Sequence, residues 1–542
     1  MKTVVLGFDA LDFHYLDRFE NHLPNIRRVR ESGVEAPLRS THPPWTGSAW
    51  PSMYTGTDPS YHGVYGFFEY DGYPDRRTHV SRLDVHQPAI WDYLSNEGPR
   101  SIVVNVPVTH PAEPIEGILI PGYLAPEDEP GHPDGIRDEL SDAIGEEYTI
   151  YSSDETNSNL EAKFRGYLEL IDKRRRGAVA LLERHEWELA VFQVQKTDAV
   201  FHHYEDERRF LEVYRAADRF VGDVLDVVDD ANVVLCSDHG IGPVTGYQIN
   251  VNELLREHGF VEPTTDGGES TGGIDKRKLV DVESDVGEQE PGRLERTIGL
   301  GRKLAFRLGI TPADVYSGAQ RVGLGDTLVE LTPDALRATA VNERVDWRTS
   351  RAYCEKGSRM GVRVNLSGRE PNGVVPQTAY EDVRDELVSL LSSLETPDGE
   401  SAFEFVCRRE KLYDGPFIED APDVCFLPSG MDHTVSHALF GRQFIPVEKH
   451  DHKPEGVFIG AGPGFSPANS IDRLSLTDVA PITMGLLGRP VPERMTGSVP
   501  PGVLTLRPDR RSYHGVQYGT GETELTPDDG EVTERLEDLG YL

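Results

Sequence analysis

The sequence is short of four things: cysteine, lysine, long apolar runs and, for its size, positive charge. Only 4 Cys occur in 542 residues (Cys236, Cys354, Cys407 and Cys425), with no Cys-x-x-Cys and no framework spacing. That argues against a disulfide-stapled scaffold and a thiolate metal site. No apolar stretch approaches the ~18 residues that a membrane span needs, so no membrane span is expected. Arg far outnumbers Lys, and 55 Lys plus Arg stand against 92 Asp plus Glu, a net charge of −37. So acidic a surface argues against nucleic acid as a structural partner and against docking on anionic membranes. It suits a protein hydrated in concentrated salt, where screening cuts self-repulsion to about 3 Å at 1 M. A halophilic source is therefore expected. The chain enters a strand-like run directly after Met1-Lys2-Thr3, which predicts no signal peptide and a cytoplasmic protein. Nothing in the pattern fixes an oligomeric state.

What is present is strand-helix alternation. The runs Val4–Phe8, Ile102–Val106, Leu189–Val194, Val233–Cys236 and Val457–Ile459 have the continuity of strands buried on both faces. Helix-like segments lie between them, among them Asn25–Ser32, Ala89–Glu97, Ala178–Arg184, Phe210–Val228 and Val251–His258. The pattern predicts an α/β fold, an open, mostly parallel sheet with helices on both faces. In such sheets the chemistry collects beyond the carboxyl ends of the strands. Asp9, Asp198 and Asp238 each follow such a run by one to four residues.

The length exceeds one ordinary domain. The expected division is a catalytic core at 1–261 plus 436–505, a flexible acidic loop at 262–292, an inserted second lobe at 293–435, and an acidic tail at 506–542. The lobe should carry a helix at Arg302–Leu308, a strand at Gly361–Leu366, a helix at Thr378–Leu391 and a strand at Phe403–Arg408. It returns the chain to the core before His452.

Six dispersed residues are candidate metal ligands: Asp9, Asp198, His202, Asp238, His239 and His452. Three carboxylates and three imidazoles suit divalent ions bound by oxygen and nitrogen. A pair of such ions clamps the attacking and leaving oxygens of a phosphoryl or sulfuryl transfer. In Ser237-Asp238-His239-Gly240 two adjacent donors share one turn, and Gly240 lets the backbone bend away. Asp198 and His202 are four apart, on one face of a helical turn, with His203 as the rival ligand. In His450-Asp451-His452 either histidine is available. Thr46 follows Pro43-Pro44-Trp45 where a helix can begin, placed to be a nucleophile or merely an N-cap. Ser40, Thr41 and Ser48 are nearby rivals.

Read together, several stretches carry a resemblance. They are Val5–Ala10, Ser40–Thr46 through Thr55-Gly56 to His62-Gly63, Asp198–His202, Ser237–Gly240 and His452–Gly456. In their order they resemble the alkaline phosphatase superfamily, specifically its type I phosphodiesterase/nucleotide pyrophosphatase branch. The resemblance implies an alkaline phosphatase-like fold and a two-metal hydrolase of phosphodiester or pyrophosphate bonds. It places Asp9, Asp238, His239 and Thr46 at one ion and Asp198, His202 and His452 at the other, Zn or else Mn. Thr46 falls in the nucleophile slot and implies a covalent phospho-enzyme; the substrate is a small anionic phosphoester. His62 recurs in the family without a chemical role that the sequence gives it. Ala49 departs from the family's Asn three residues after the nucleophile, so another group must meet the phosphate oxygen. Backbone N–H groups of Gly47 and Ser48, or a side chain of the second lobe, are the candidates. Arg363, Asn365 and Arg369 lie in that lobe. The alternatives on the same site are a phosphomonoesterase or a metal-dependent phosphosugar mutase; no Cys or Ser stands in the sulfatase pattern. The alternative of another class is an inactive metal-binding protein.

Overall fold

The computed structural model describes residues 1–70, 77–264, 343–355, 359–466, 471–519 and 530–538. Eight strands build the central sheet: β1 (Thr3–Phe8), β2 (Val34–Arg39), β3 (Ser101–Val104), β4 (Gly117–Ile120), β5 (Leu189–Val194), β6 (Asn232–Cys236), β7 (Glu455–Ala461) and β8 (Leu474–Ser475). Their spatial order is β8-β2-β7-β6-β1-β5-β3-β4. Every residue of β1, β5 and β6 is buried, as unbroken apolar runs require when both faces are covered.

From β6 to β4 all neighbours are parallel, and β2 pairs in parallel with β8. β7 runs antiparallel to both β2 and β6. The reversal decides where a candidate residue lies. Asp9 and Asp238 follow their strands, whereas His452 precedes β7, so only a reversed strand brings His452 to the same edge of the sheet.

Helices follow the amphipathic logic. Glu207–Val227 buries Phe210, Val213, Tyr214, Ala217, Phe220, Val221 and Val224 along one stripe, and Asp206 caps its first turn through the Arg209 N–H. Leu160–Arg184 is capped by Asn159 and packs against it.

A second hydrophobic cluster lies apart from the sheet. Its antiparallel strands run in the order Ala352–Tyr353, Gly361–Val364, Val424–Pro428, Phe403–Arg408, with helix Tyr380–Ser392 packed on them. The lobe's expected strands at 361 and 403 and its helix at 378 therefore stand. The cluster also takes in Ile249, Val251, Leu254, Leu255, Phe260 and Val261. Of the loop expected at 262–292, Pro263–Thr264 pair with Arg344–Val345; its remainder and the helix at Arg302–Leu308 lie outside the described residues. In the tail, Arg510–Arg511 pair with Val491–Pro492, and helix Gly530–Asp538 buries Val532 and Leu536. Among the described residues, no helix is long and apolar enough to cross a membrane.

Candidate functional site

All seven candidate residues converge at the carboxyl edge of β1, β5 and β6. Asp9 leaves β1, and its N–H donates to the Val194 carbonyl at the end of β5. Asp238 and His239 leave β6, and the strand Gly240–Val244 that follows pairs antiparallel with Lys449–Lys453, setting His452 opposite Ile241. The two ligand segments are thus zipped together. His239 Nε2 stands 3.5 Å from Asp9 Oδ1 and 3.3 Å from Asp238 Oδ2. Helix Lys196–His203 begins just beyond β5 and presents Asp198 and His202 on one face. His202 Nε2 lies 3.1 Å from Asp198 Oδ1 and 3.3 Å from His452 Nε2, which is 3.5 Å from that same oxygen.

The rival histidines fall away from the site. His203 Nδ1 turns to the Ala199 carbonyl (2.9 Å) and the Tyr167 hydroxyl (3.0 Å). The His450 ring packs against Phe201 and Phe210. His452 lies in a strand and is fully buried.

Thr46 is the first residue of helix Thr46–Thr55, and the N-cap is Trp45, whose side chain makes no capping bond. The Thr46 hydroxyl is therefore free of the N-cap role and lies 3.3 Å from His239 Nε2. The other hydroxyls are placed otherwise. Thr41 donates to the Pro43 carbonyl at 2.8 Å, Ser48 to the Pro43 and Trp45 carbonyls, and Ser40 Oγ is buried without a partner among the described residues. The Ser48 N–H is also engaged, donating to the Trp45 carbonyl at 3.0 Å. That corrects the expectation for Ser48. Among the described residues, the Thr46 and Gly47 amides have no acceptor, and they form the open N-terminus of the helix.

The electrostatics are lopsided. Burial, with the charges of Asp238 and Asp198, pushes the Asp9 carboxyl well above its ordinary range. Burial also acts against Asp198, but His202 and His452 hold it well below. Burial lowers His239. His239 Nδ1 faces the Gly240 carbonyl at 3.1 Å and His452 Nδ1 the Pro44 carbonyl at 3.0 Å. In neutral rings each therefore donates outward and turns an Nε2 lone pair inward. Among the described residues, Asp9 Oδ1 and Asp238 Oδ2 are buried and accept no hydrogen bond. Acceptors thus face acceptors, which is costly unless a cation lies between them. Two sets of three donors have their atoms within 4.8 Å of one another: Asp9, Asp238, His239 and Asp198, His239, His452. These residues fit divalent metal.

Sequence reasoning missed Gln193. It is buried in β5, and its Nε2 donates to Asp9 Oδ2 at 3.0 Å, leaving Oδ1 directed inward. Arg174, also buried, donates to the Gln193 carbonyl at 3.0 Å. A lone amide in an otherwise apolar strand was the available signal. His62 also acquires a role: its Nδ1 accepts from the Val64 N–H at 3.1 Å and its Nε2 meets Ser52 Oγ at 2.8 Å. It is a neutral brace for the Thr46 helix, and burial lowers its pKa to about 3. Arg363, Asn365 and Arg369 are engaged inside the lobe, by Glu370, by the Trp347 and Ser350 carbonyls, and by Asp423 respectively.

A family model described as type I phosphodiesterase / nucleotide pyrophosphatase matches residues 3–298. No curated protein matches the sequence. Two solved structures of phosphonoacetate hydrolase from Sinorhizobium meliloti 1021, in complex with phosphonoformate and with phosphonoacetate, align over 90% of this chain and 95% of theirs. Their TM-score is 0.54 at 13% identity, a likeness of fold.

Proposed function

The chain belongs to the type I phosphodiesterase/nucleotide pyrophosphatase family, a family of metal-dependent phosphoester hydrolases, and we propose that it cleaves phosphodiester or pyrophosphate bonds with Thr46 as nucleophile. The observation that carries this reading is the single edge on which Thr46, three buried carboxylates and three imidazoles meet. Asp9, Asp238 and His239 would hold one divalent ion beside Thr46, and Asp198, His202 and His452 a second. The all-nitrogen-and-oxygen set suits Zn or Mn. When bound, such ions supply charge neutralisation on the attacking and leaving oxygens.

The chain's own residues do the rest. Trp45 and the prolines before it place Thr46 at the first turn, where the hydroxyl faces His239. The Thr46 and Gly47 amides, at the positive end of the helix, receive a phosphoryl oxygen in the place of the family's Asn contact. The Thr46 oxygen bonds to phosphorus as the leaving-group oxygen departs, and water then cleaves the phosphothreonine.

The test is hydrolysis of bis-p-nitrophenyl phosphate beside p-nitrophenyl phosphate and phosphonoacetate, in high salt with Zn or Mn and a chelator control. Metal-dependent preference for the diester is expected. Preference for the monoester assigns a phosphatase or mutase instead, and preference for phosphonoacetate assigns carbon–phosphorus cleavage.

A further inference from the structure

On helix Thr46–Thr55 the positions i, i+4 and i+7 are Thr46, Trp50 and Met53, which share one face. Each meets the end of a core strand. Thr46 faces His239, beyond β6. Met53 Sδ lies 3.7 Å from the thiol of Cys236, the last residue of β6. Trp50 covers Gly7 of β1 so closely that a Cβ there would stand 2.2 Å from its Cη2 and 2.9 Å from its Cζ3. Gly7 is thus explained by close approach: any side chain would displace the indole. Residues i and i+2 of an extended chain share a face, so the group next along from Gly7 is Asp9.

Among the described residues, the Trp50 Nε1–H and Asp9 Oδ1 are both buried and neither has a hydrogen-bond partner. One rigid ring, carried on the helix of the nucleophile, is therefore seated on β1 two residues before Asp9.

We propose that Trp50 is a positioning residue: seated on Gly7, two residues before Asp9, it sets the spacing between Thr46 and Asp9. This rests on the assignment of Thr46 and Asp9 made above. Groups that orient a ligand in this way are typically worth roughly 10–100-fold in metal affinity or activity.

Two variants approach the ring from opposite sides. Trp50→Phe keeps an aromatic on the helix and withdraws the outer edge of the indole, the Cη2, Cζ3 and Cζ2 atoms that rest on Gly7. Gly7→Ala keeps the N–H and pushes the ring off its seat. Both are compared with wild type and Thr46→Ala in the full chain, by Mn and Zn titration against a chelating dye, diester kinetics and thermal melts. For both variants we expect metal affinity and kcat each to fall roughly tenfold or more, with KM little changed and a cooperative melt retained. If Gly7→Ala fails to fold, Trp50→Phe alone decides. Variants that melt lower yet keep wild-type metal affinity and kcat reduce Trp50 to core filling and overturn the proposal. A wild type that takes up no metal, or a fully active Thr46→Ala, overturns the underlying assignment instead, and shows itself without either variant.

Discussion

Two regions of this molecule bury charge, and they do it oppositely. In the lobe, Asp423 is fully buried yet saturated: it accepts from Arg369 at 2.7 Å through both oxygens, from the Tyr380 hydroxyl at 2.5 Å and from the Val364 N–H at 2.7 Å. Burial opposes its ionisation, but the Arg369 hydrogen bonds and the charges of Arg369, Arg363 and Arg409 hold its pKa at about 2. At the edge of the main sheet Asp9, Asp238 and Asp198 are equally buried, but Asp9 Oδ1 and Asp238 Oδ2 accept nothing. Asp423 is met by the lobe's own donors, and that is structure. In the core, Arg82 meets Asp92 and Glu113 in the same way, whereas Asp9 and Asp238 each turn toward the candidate metal cluster an oxygen that has no donor among the described residues.

The sharpest break of the comparison is Thr46→Ala. It removes the reacting atom and leaves the donor sets whole, so turnover should fall roughly 10⁴-fold or more while metal uptake stays near wild type. Single-turnover assay of the diester beside dye titration checks both halves. Activity near wild type would remove Thr46 from the mechanism.

The next test sets one carboxylate against the other. Asp423→Ala strands buried guanidinium groups and should cost about 3–5 kcal/mol of stability. Asp238→Asn relieves acceptor crowding, so the metal-free protein should melt no lower than wild type and lose most of the stabilisation that added metal confers. Melts of both variants with metal and with chelator give the signs. A large loss in metal-free Asp238→Asn would mean that this carboxylate is structural too.

The lobe's network also predicts its own acid limit. Asp423 has a folded pKa of about 2, depressed from an unfolded value of about 3.9. Its stabilisation is therefore complete above about pH 4 and is lost as pH falls toward 2, an effect of about 2–3 kcal/mol. Comparing wild type with Asp423→Asn in acid denaturation isolates it, since the variant should lack that slope.

Much of this contrast was legible in the residues. Asp9 and Asp238 stand directly beyond apolar runs, and Asp198 and His202 share a helical face, because strand and helix periodicity alone dictate those placements. His452 was legible as a donor, but its reversed strand was not. Val457–Ile459 reads as one more buried run, and direction is set only by where the lobe returns the chain. Gln193 and Trp50 were missed for a related reason. Gln193 reaches Asp9, and Trp50 covers Gly7, across the packing between elements, and local pattern carries no such register. Arg363 and Arg369 misled in the other direction, since a guanidinium in a lobe looks available until its carboxylate partners are placed.

Gln193 tests whether the core's inward-facing oxygens are deliberately held. Gln193→Leu removes the amide that engages Asp9 Oδ2 and leaves that carboxylate to reorient. Metal affinity should drop roughly 10–100-fold, with a smaller change in the melt. Unchanged affinity in the dye titration would leave Asp9 oriented by backbone alone.

The smallest effect on turnover is expected from Ser52→Ala, two turns from the reacting hydroxyl. Ser52 Oγ meets His62 Nε2 at 2.8 Å and donates to the Ser48 carbonyl at 3.0 Å. Because His62 Nδ1 accepts from the Val64 N–H, the ring's proton sits on Nε2, and alanine leaves that buried donor without an acceptor. The cost should be about 1–3 kcal/mol of stability, with kcat and metal affinity within a few-fold of wild type, since neither residue touches a candidate ligand. A kcat loss approaching that of Thr46→Ala would move His62 from brace to chemistry and blur the line between satisfied and waiting charge.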